Sequence, residues 1–157
     1  MSLKAILDTA KFAQVGFVVH DIEATKKQYA LLFDVKEPDT QPGGDYEITQ
    51  TTVFGQPAPE AGCKLAFIDL TPGVQLELIE PNKAPSVWRD HLDKYGEGIH
   101  HIAFYVDKAD PVIEKLKEEF GAVVEQVGNY GDGSGRYIYL SLQDKLKCRI
   151  ELLESFN

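Results

Sequence analysis

The sequence predicts an α+β chain built from tandem βαβββ modules that form two facing mixed sheets. Three observations predict it. A strand-like segment recurs at a fixed offset, a helical pattern follows each copy, and each copy closes on a hairpin whose last strand sets a glutamate between apolar residues.

The first strand is read in Ala13-Gln14-Val15-Gly16-Phe17-Val18-Val19-His20-Asp21 and its counterpart in His100-His101-Ile102-Ala103-Phe104-Tyr105-Val106-Asp107. Both are rich in β-branched and aromatic residues. Gln14 aligns with His101, Phe17 with Phe104 and Val19 with Val106, an offset of 87 positions. The first helix is expected over Ile22–Phe33 and the second over Asp110–Phe120, with the closing phenylalanines still at the same offset. Asp110-Pro111 reads as an N-cap followed by proline in the first turn, and Gly121 as a stop. The first copy then continues with strands at Tyr46–Phe54, Leu65–Leu70 and Val74–Glu80, and the second with Val123–Val127, Tyr137–Leu142 and Cys148–Leu153. Thr71-Pro72-Gly73 turns one hairpin, and Gln143-Asp144-Lys145 turns the other. Leu76-Glu77-Leu78-Ile79-Glu80 matches Ile150-Glu151-Leu152-Leu153-Glu154 at an offset of 74, so the first copy holds 13 more residues. That surplus fits the loop-rich stretch from Pro38 to Gly62. One domain over 1–157 is expected, with modules 12–80 and 99–154 and a connector 81–98 that carries a short helix around Ser86–Tyr95.

Composition narrows the function. Sixteen Lys and Arg against 25 Asp and Glu give a net charge of −9, a poor match for nucleic acid or an anionic membrane surface. No apolar run approaches the roughly 18–20 residues of a membrane span. Residues 1–13 lack the apolar stretch of a signal peptide, and Cys63 and Cys148 have no CxxC neighbour, so free thiols and a cytoplasmic location are expected.

Side chains alternate across a strand. Gln14, Gly16 and Val18 share one face, and His101, Ala103 and Tyr105 share the matching face of the second copy. Each matched position thus carries one polar residue on an otherwise apolar strand: Gln14, Glu77, His101 and Glu151. Two buried carboxylates cost several kcal/mol each without partners. One divalent cation removes that cost, and a set of two carboxylates, an amide and an imidazole suits Zn, Mn, Co, Ni or Fe(II). The competing reading places the glutamates on wet sheet faces and the histidine in the core. The coincidence of all four at equivalent positions favours a metal or polar-ligand site. His100 is expected on the opposite face, and His20 and His91 on the surface. Gly128–Arg136 is glycine-rich but lacks the Lys-Ser/Thr ending of a phosphate cradle, so a loop over the site is expected, with Arg136 a candidate partner for an anionic group. The charges of Glu114–Glu119 mark a wet helix face.

These features resemble the vicinal oxygen chelate superfamily, which includes glyoxalase I, methylmalonyl-CoA epimerase, extradiol dioxygenases and bleomycin resistance proteins. The resemblance runs from Phe12 to Glu154. It is carried by Gln14–Ile22, by Val74-Gln75-Leu76-Glu77-Leu78-Ile79-Glu80-Pro81 and by Gly96-Glu97-Gly98-Ile99-His100-His101-Ile102-Ala103-Phe104. It implies a glyoxalase-like open barrel, a homodimer, and Gln14, Glu77, His101 and Glu151 as ligands of one divalent ion: Zn, Co, Ni or Mn. Epimerases usually have His at the first ligand position; the Gln/Glu/His/Glu order is similar to one class of glyoxalase I, typically a zinc enzyme. Lys64-Leu65-Ala66 offers no carboxylate where some epimerases place a base. One histidine falls short of the dioxygenase triad. The resemblance therefore implies a lyase or isomerase that abstracts a proton α to a carbonyl of a thioester or hemithioacetal. Glu151 is the candidate base, and Glu77 stands on the opposite side. The alternative is a metal-free protein that sequesters a small molecule, of the bleomycin-resistance type.

Overall fold

Strand β1 (Phe12–Val18) runs down the middle of the sheet, paired in parallel with β6 (Val74–Pro81) and antiparallel with β7 (Gly98–Val106). The computed structural model describes residues 4–157. After β1 come α1 (Ile22–Phe33), β2 (Gln41–Pro42), α2 (Tyr46–Thr49), β3 (Thr52–Val53), β4 (Gln56–Pro57) and β5 (Cys63–Thr71). Helix α3 (Val87–Tyr95) joins β6 to β7, followed by α4 (Ala109–Phe120), β8 (Val123–Asn129), β9 (Gly135–Ser141), α5 (Gln143–Leu146) and β10 (Arg149–Ser155).

The two mixed sheets expected from the repeat hydrogen-bond to one another through β1 and β7. They form a single open sheet of ten strands in the order β2-β5-β6-β1-β7-β10-β9-β8-β3-β4. Glu77 on β6 and Glu151 on β10 stand three strand steps apart, roughly 14 Å on a flat sheet. Their ligating oxygens nevertheless lie within 4.8 Å of each other. The sheet therefore curls, and the curl brings opposite flanks of its concave face together.

The outer face is apolar for the reason alternation gives. Val15 and Phe17 pack with Ile22 and Tyr29 of α1 over Ala66, Ile68, Leu76 and Leu78. Ile113 and Leu116 of α4 pack on Ile138, Leu140, Ile150 and Leu152, with Ile102 and Phe104 beside them. Helix α3 contributes Trp88 and Leu92 to a third cluster with Val18, Ile79 and Tyr139. Glu114, Lys115 and Lys117 to Glu119 are exposed on α4, as their charge requires.

Three local expectations are corrected. Tyr46–Phe54 is not one strand. It forms α2 and then β3, with Gln50 in the left-handed region and its Nε2 donating to the Tyr46 and Glu47 carbonyls at 3.0 and 3.2 Å. Its β-branched residues satisfy a strand pattern, but the chain must travel here from β2, beside β5, to β3, beside β8 at the other end of the sheet. The second correction concerns α4, which begins at Ala109. Asp110 does not cap it. Glu154 of β10 accepts the Ala109 N–H through Oε2 at 2.9 Å, and Asp110 instead takes Arg136 Nη2 at 2.9 Å. Third, the turn at Gln143 is wound into α5.

Glu154 also accepts Arg136 Nε at 2.6 Å, so one carboxylate both caps a helix and holds a cation. Glu154→Ala leaves a buried N–H and a half-buried guanidinium without their acceptor. Urea denaturation is expected to show a loss of about 1–3 kcal/mol, with a smaller loss in Glu154→Gln, which retains a carbonyl acceptor.

Candidate metal centre

Two rungs of the sheet build the site. Across one, Gly16 of β1 is paired with Glu77 of β6 and with His101 of β7. Across the next, Gln14 faces Ala103, and Ala103 faces Glu151 of β10. The polar residues thus flank two small central ones, Gly16 and Ala103, which the repeat places at equivalent positions. A methyl group at Gly16 would run into the His101 ring. Glycine there is what lets the imidazole lie across the strand.

Gln14, Glu77, His101 and Glu151 are 7%, 7%, 0% and 3% exposed, so none relies on bulk water. His101 Nε2 stands 3.2 Å from Glu77 Oε1 and 2.9 Å from Glu151 Oε2. Both are ion-pair distances for a protonated ring. Gln14 Oε1, Glu77 Oε1, His101 Nε2 and Glu151 Oε2 are all buried without a hydrogen-bond partner. Orphaned buried polar atoms are rare because each costs its full desolvation. His100 Nε2 and Gln143 Oε1 are orphaned as well, but four of the orphans fall on the four residues expected as a set, with ligating atoms of Glu77, His101 and Glu151 mutually within 4.8 Å. Such oxygen and nitrogen donors fit a divalent cation.

Without a cation the cluster holds a proton. Burial opposes charge on the His101 ring, but Glu151 and then Glu77 overcome it and push its pKa up to about 10. Burial raises the Glu77 pKa, with Glu151 adding and His101 opposing. A metal ion would displace that proton.

Behind His101 runs a buried polar chain. Its Nδ1 lies 2.9 Å from His100 Nδ1, and the His100 ring meets His91 and Tyr139 edge-on, at 5.0 Å from each. His91 contacts Arg149, whose Nε donates to Glu125 Oε1 at 2.8 Å. His91, expected on the surface, is instead buried on α3, because its helix lies over the end of the sheet. His20 is exposed as expected. Burial and then the Arg149 charge lower the His91 pKa to about 4. Burial, His101 and Arg149 hold His100 well below its usual value.

In front of the cluster lies a cavity of about 710 Å³, which Gln14, Glu77 and Glu151 line. Trp88, Tyr137 and Tyr139 form an aromatic wall that the sequence reading missed, although Tyr137 and Tyr139 alternate on β9. Trp88 Nε1 donates to Tyr139 Oη at 3.0 Å. Two loops close the mouth. Gly44 packs so tightly on Gly131 that a side chain at Gly44 would strike its backbone, and Asn129 Nδ2 donates to the Ile48 carbonyl at 3.0 Å. The Gly128–Arg136 stretch therefore reaches the cavity through Asn129 to Asp132. Arg136 does not, because strand alternation turns it to Glu154 and Asp110.

Two consequences are measurable. Gly16→Ala is expected to lower stability by about 1–3 kcal/mol through overpacking against His101, read as a shift in urea midpoint. His91 and His100 must stay neutral in the fold but take protons once unfolded near pH 6.5. At these two rings the unfolded state therefore binds more protons below that pH, and their contribution to stability falls as pH drops from about 6.5 toward 4. Urea midpoints measured across that window should decline, and more shallowly in His91→Gln.

Residues 13–139 match the family model of the glyoxalase/bleomycin resistance protein/dioxygenase superfamily. The uncharacterized protein YqjC of Bacillus subtilis (strain 168) is 30% identical over 81 residues, 52% of this chain and 58% of that protein, so the match spans less than two thirds of that relative. Methylmalonyl-CoA epimerase from Mycobacterium tuberculosis superposes with a TM-score of 0.67 at 18% identity, over 100% of this chain and 94% of that one. A Streptomyces coelicolor methylmalonyl-CoA epimerase in complex with 2-nitronate-propionyl-CoA superposes with a TM-score of 0.63 at 22% identity, over 94% and 98%. At these identities the solved structures speak for the fold, and the family model covers most of the chain: this protein belongs to the glyoxalase/bleomycin resistance protein/dioxygenase superfamily.

Proposed function

We propose that this protein is a divalent-metal-dependent isomerase or lyase that moves a proton α to a carbonyl. The observation that carries the reading is the cluster of unpartnered, buried donor atoms of Glu77, His101 and Glu151 within 4.8 Å of one another, behind a cavity that Gln14, Glu77 and Glu151 line. Gln14 Oε1, Glu77, His101 Nε2 and Glu151 would hold the ion. Zn, Co, Ni and Mn fit this donor set. Once bound, the ion supplies Lewis acidity, which polarises a substrate carbonyl and stabilises negative charge developing on its oxygen.

The chain's own groups do the rest. Glu151 takes the α-proton and returns it, and Glu77 addresses the opposite side of the substrate. Gln14 has no basic form in the working pH range and only binds. His100 orients the His101 ring from behind. Trp88, Tyr137 and Tyr139 keep water from the reacting centre. The superfamily resemblance and the epimerase-like neighbours support this chemistry. A cytoplasmic homodimer belongs to the same reading. It is supported by the free thiols Cys63 and Cys148 and by exposed apolar residues Leu31, Leu32, Phe33 and Val35 around the end of α1.

Protein purified without chelator is expected to contain, or take up, about one equivalent of Zn, Co, Ni or Mn by elemental analysis, and His101→Ala to lose it. The metal-loaded protein should exchange the α-proton of a hydroxy-carbonyl substrate with solvent deuterium. Glu151→Gln should keep its circular dichroism spectrum and lose that exchange by about 10²–10⁴-fold. No metal uptake would favour a metal-free binding protein, and retained exchange in Glu151→Gln would remove its role as base.

A further inference from the structure

Among the described residues, the charged groups that line the cavity are all acids: Asp45, Glu77, Asp132 and Glu151. The basic side chains on the strands that build it are committed elsewhere. Lys64, which alternates with the cavity residues Cys63 and Leu65, turns outward to Glu80 at 3.4 Å. Arg136 is held by Glu154 and Asp110, and Arg149 by Glu125. A divalent ion would balance the two glutamates at the floor and leave the carboxylates of Asp45 and Asp132 at the mouth uncompensated. The chain as a whole carries −9. The remaining walls are uncharged, with Phe67, Trp88, Tyr105, Tyr130, Tyr137 and Tyr139 among them, around a volume of about 710 Å³.

An anionic group placed in this cavity away from the ion loses hydration and meets no counter-charge. It also approaches against the acids at the mouth. A CoA conjugate brings several phosphates, and a glutathione conjugate two carboxylates that its single ammonium only half offsets. An uncharged ring or alkyl chain instead gains by burial against the aromatic wall. We infer that the substrate is a small molecule whose only charged or charge-developing oxygens are those that bind the ion, with an uncharged aromatic or aliphatic remainder, and that it is neither a CoA nor a glutathione conjugate. This inference rests on the metal-centre reading above.

Two matched probes test it on the full-length, zinc-loaded protein. Benzohydroxamic acid offers vicinal oxygens and a neutral ring, and 4-carboxybenzohydroxamic acid adds one carboxylate far from the chelating end. Titration calorimetry at physiological ionic strength is expected to show the neutral probe binding at least about tenfold more tightly. Gln41, exposed on β2, lines the cavity outside the four-residue cluster. Gln41→Lys is expected to tighten the carboxylated probe about fivefold or more relative to the neutral one. S-methyl-CoA and S-methylglutathione at millimolar concentration should not displace the neutral probe. Equal or tighter binding of the carboxylated probe to the wild type overturns the inference, as does displacement by either thiol derivative or a Gln41→Lys variant that does not discriminate. Zinc retained with neither probe bound also overturns it and leaves the metal centre standing. Failure to take up zinc overturns the metal-centre reading itself.

Discussion

The pairing of β1 with β7 is the constraint from which the rest of the site follows. Because the two strands run antiparallel, the two copies of the repeat meet about an approximate twofold axis that passes between the rungs of Gly16 and Ala103. Each copy then adds a parallel neighbour, β6 or β10, whose glutamate stands opposite the small residue of its own first strand. Register shifts in the β1–β7 ladder fall on both sides of Gln14–Gly16 and bracket the segment that must stay in phase. A slip of one residue would turn Gln14 or His101 to the helix-covered face and separate the four groups.

The same constraint explains what a sequence alone reveals. Gln14, Glu77, His101 and Glu151 are legible because strand alternation and a constant offset are both periodic signals, and periodic signals survive without coordinates. The helices α1 and α4 are legible for the same reason. Other features depend on contacts between residues far apart in the chain. Glu154 caps α4 from 45 positions away, so Asp110-Pro111 looked like a sufficient start. His91 is buried only because α3 packs over the end of the sheet. The segment Tyr46–Val53 has strand-like composition, and its path is set by the two sheet ends it must connect. Trp88 joins Tyr137 and Tyr139 across 51 positions or fewer, a wall with no local pattern to announce it.

The polar chain behind His101 gives the cluster a defined back as well as a front. Two imidazole Nδ1 atoms at 2.9 Å share one proton between them, so one ring donates and the other accepts. With the proton on His101 Nδ1, its Nε2 lone pair is left facing Glu77 and Glu151, the tautomer a ligand needs. Arg149 and Glu125 close the chain at its far end, and the Arg149 charge helps keep His91 and His100 neutral. The imidazole is thus oriented by groups that have no access to the cavity.

The segment from β2 to β4 gives the molecule an asymmetry that its repeat lacks. It starts against β5 at one end of the curled sheet and finishes against β8 at the other, like a buckle drawn across the opening of a horseshoe. The second copy has no counterpart to it. The floor of the horseshoe is therefore twinned, whereas its roof is single and carries Gly43, Gly44 and Asp45 toward Gly131. Insertions or exchanges in the buckle can reshape what enters without touching the twinned floor beneath, so admission and the placing of the donor atoms are divided between separate parts of the chain.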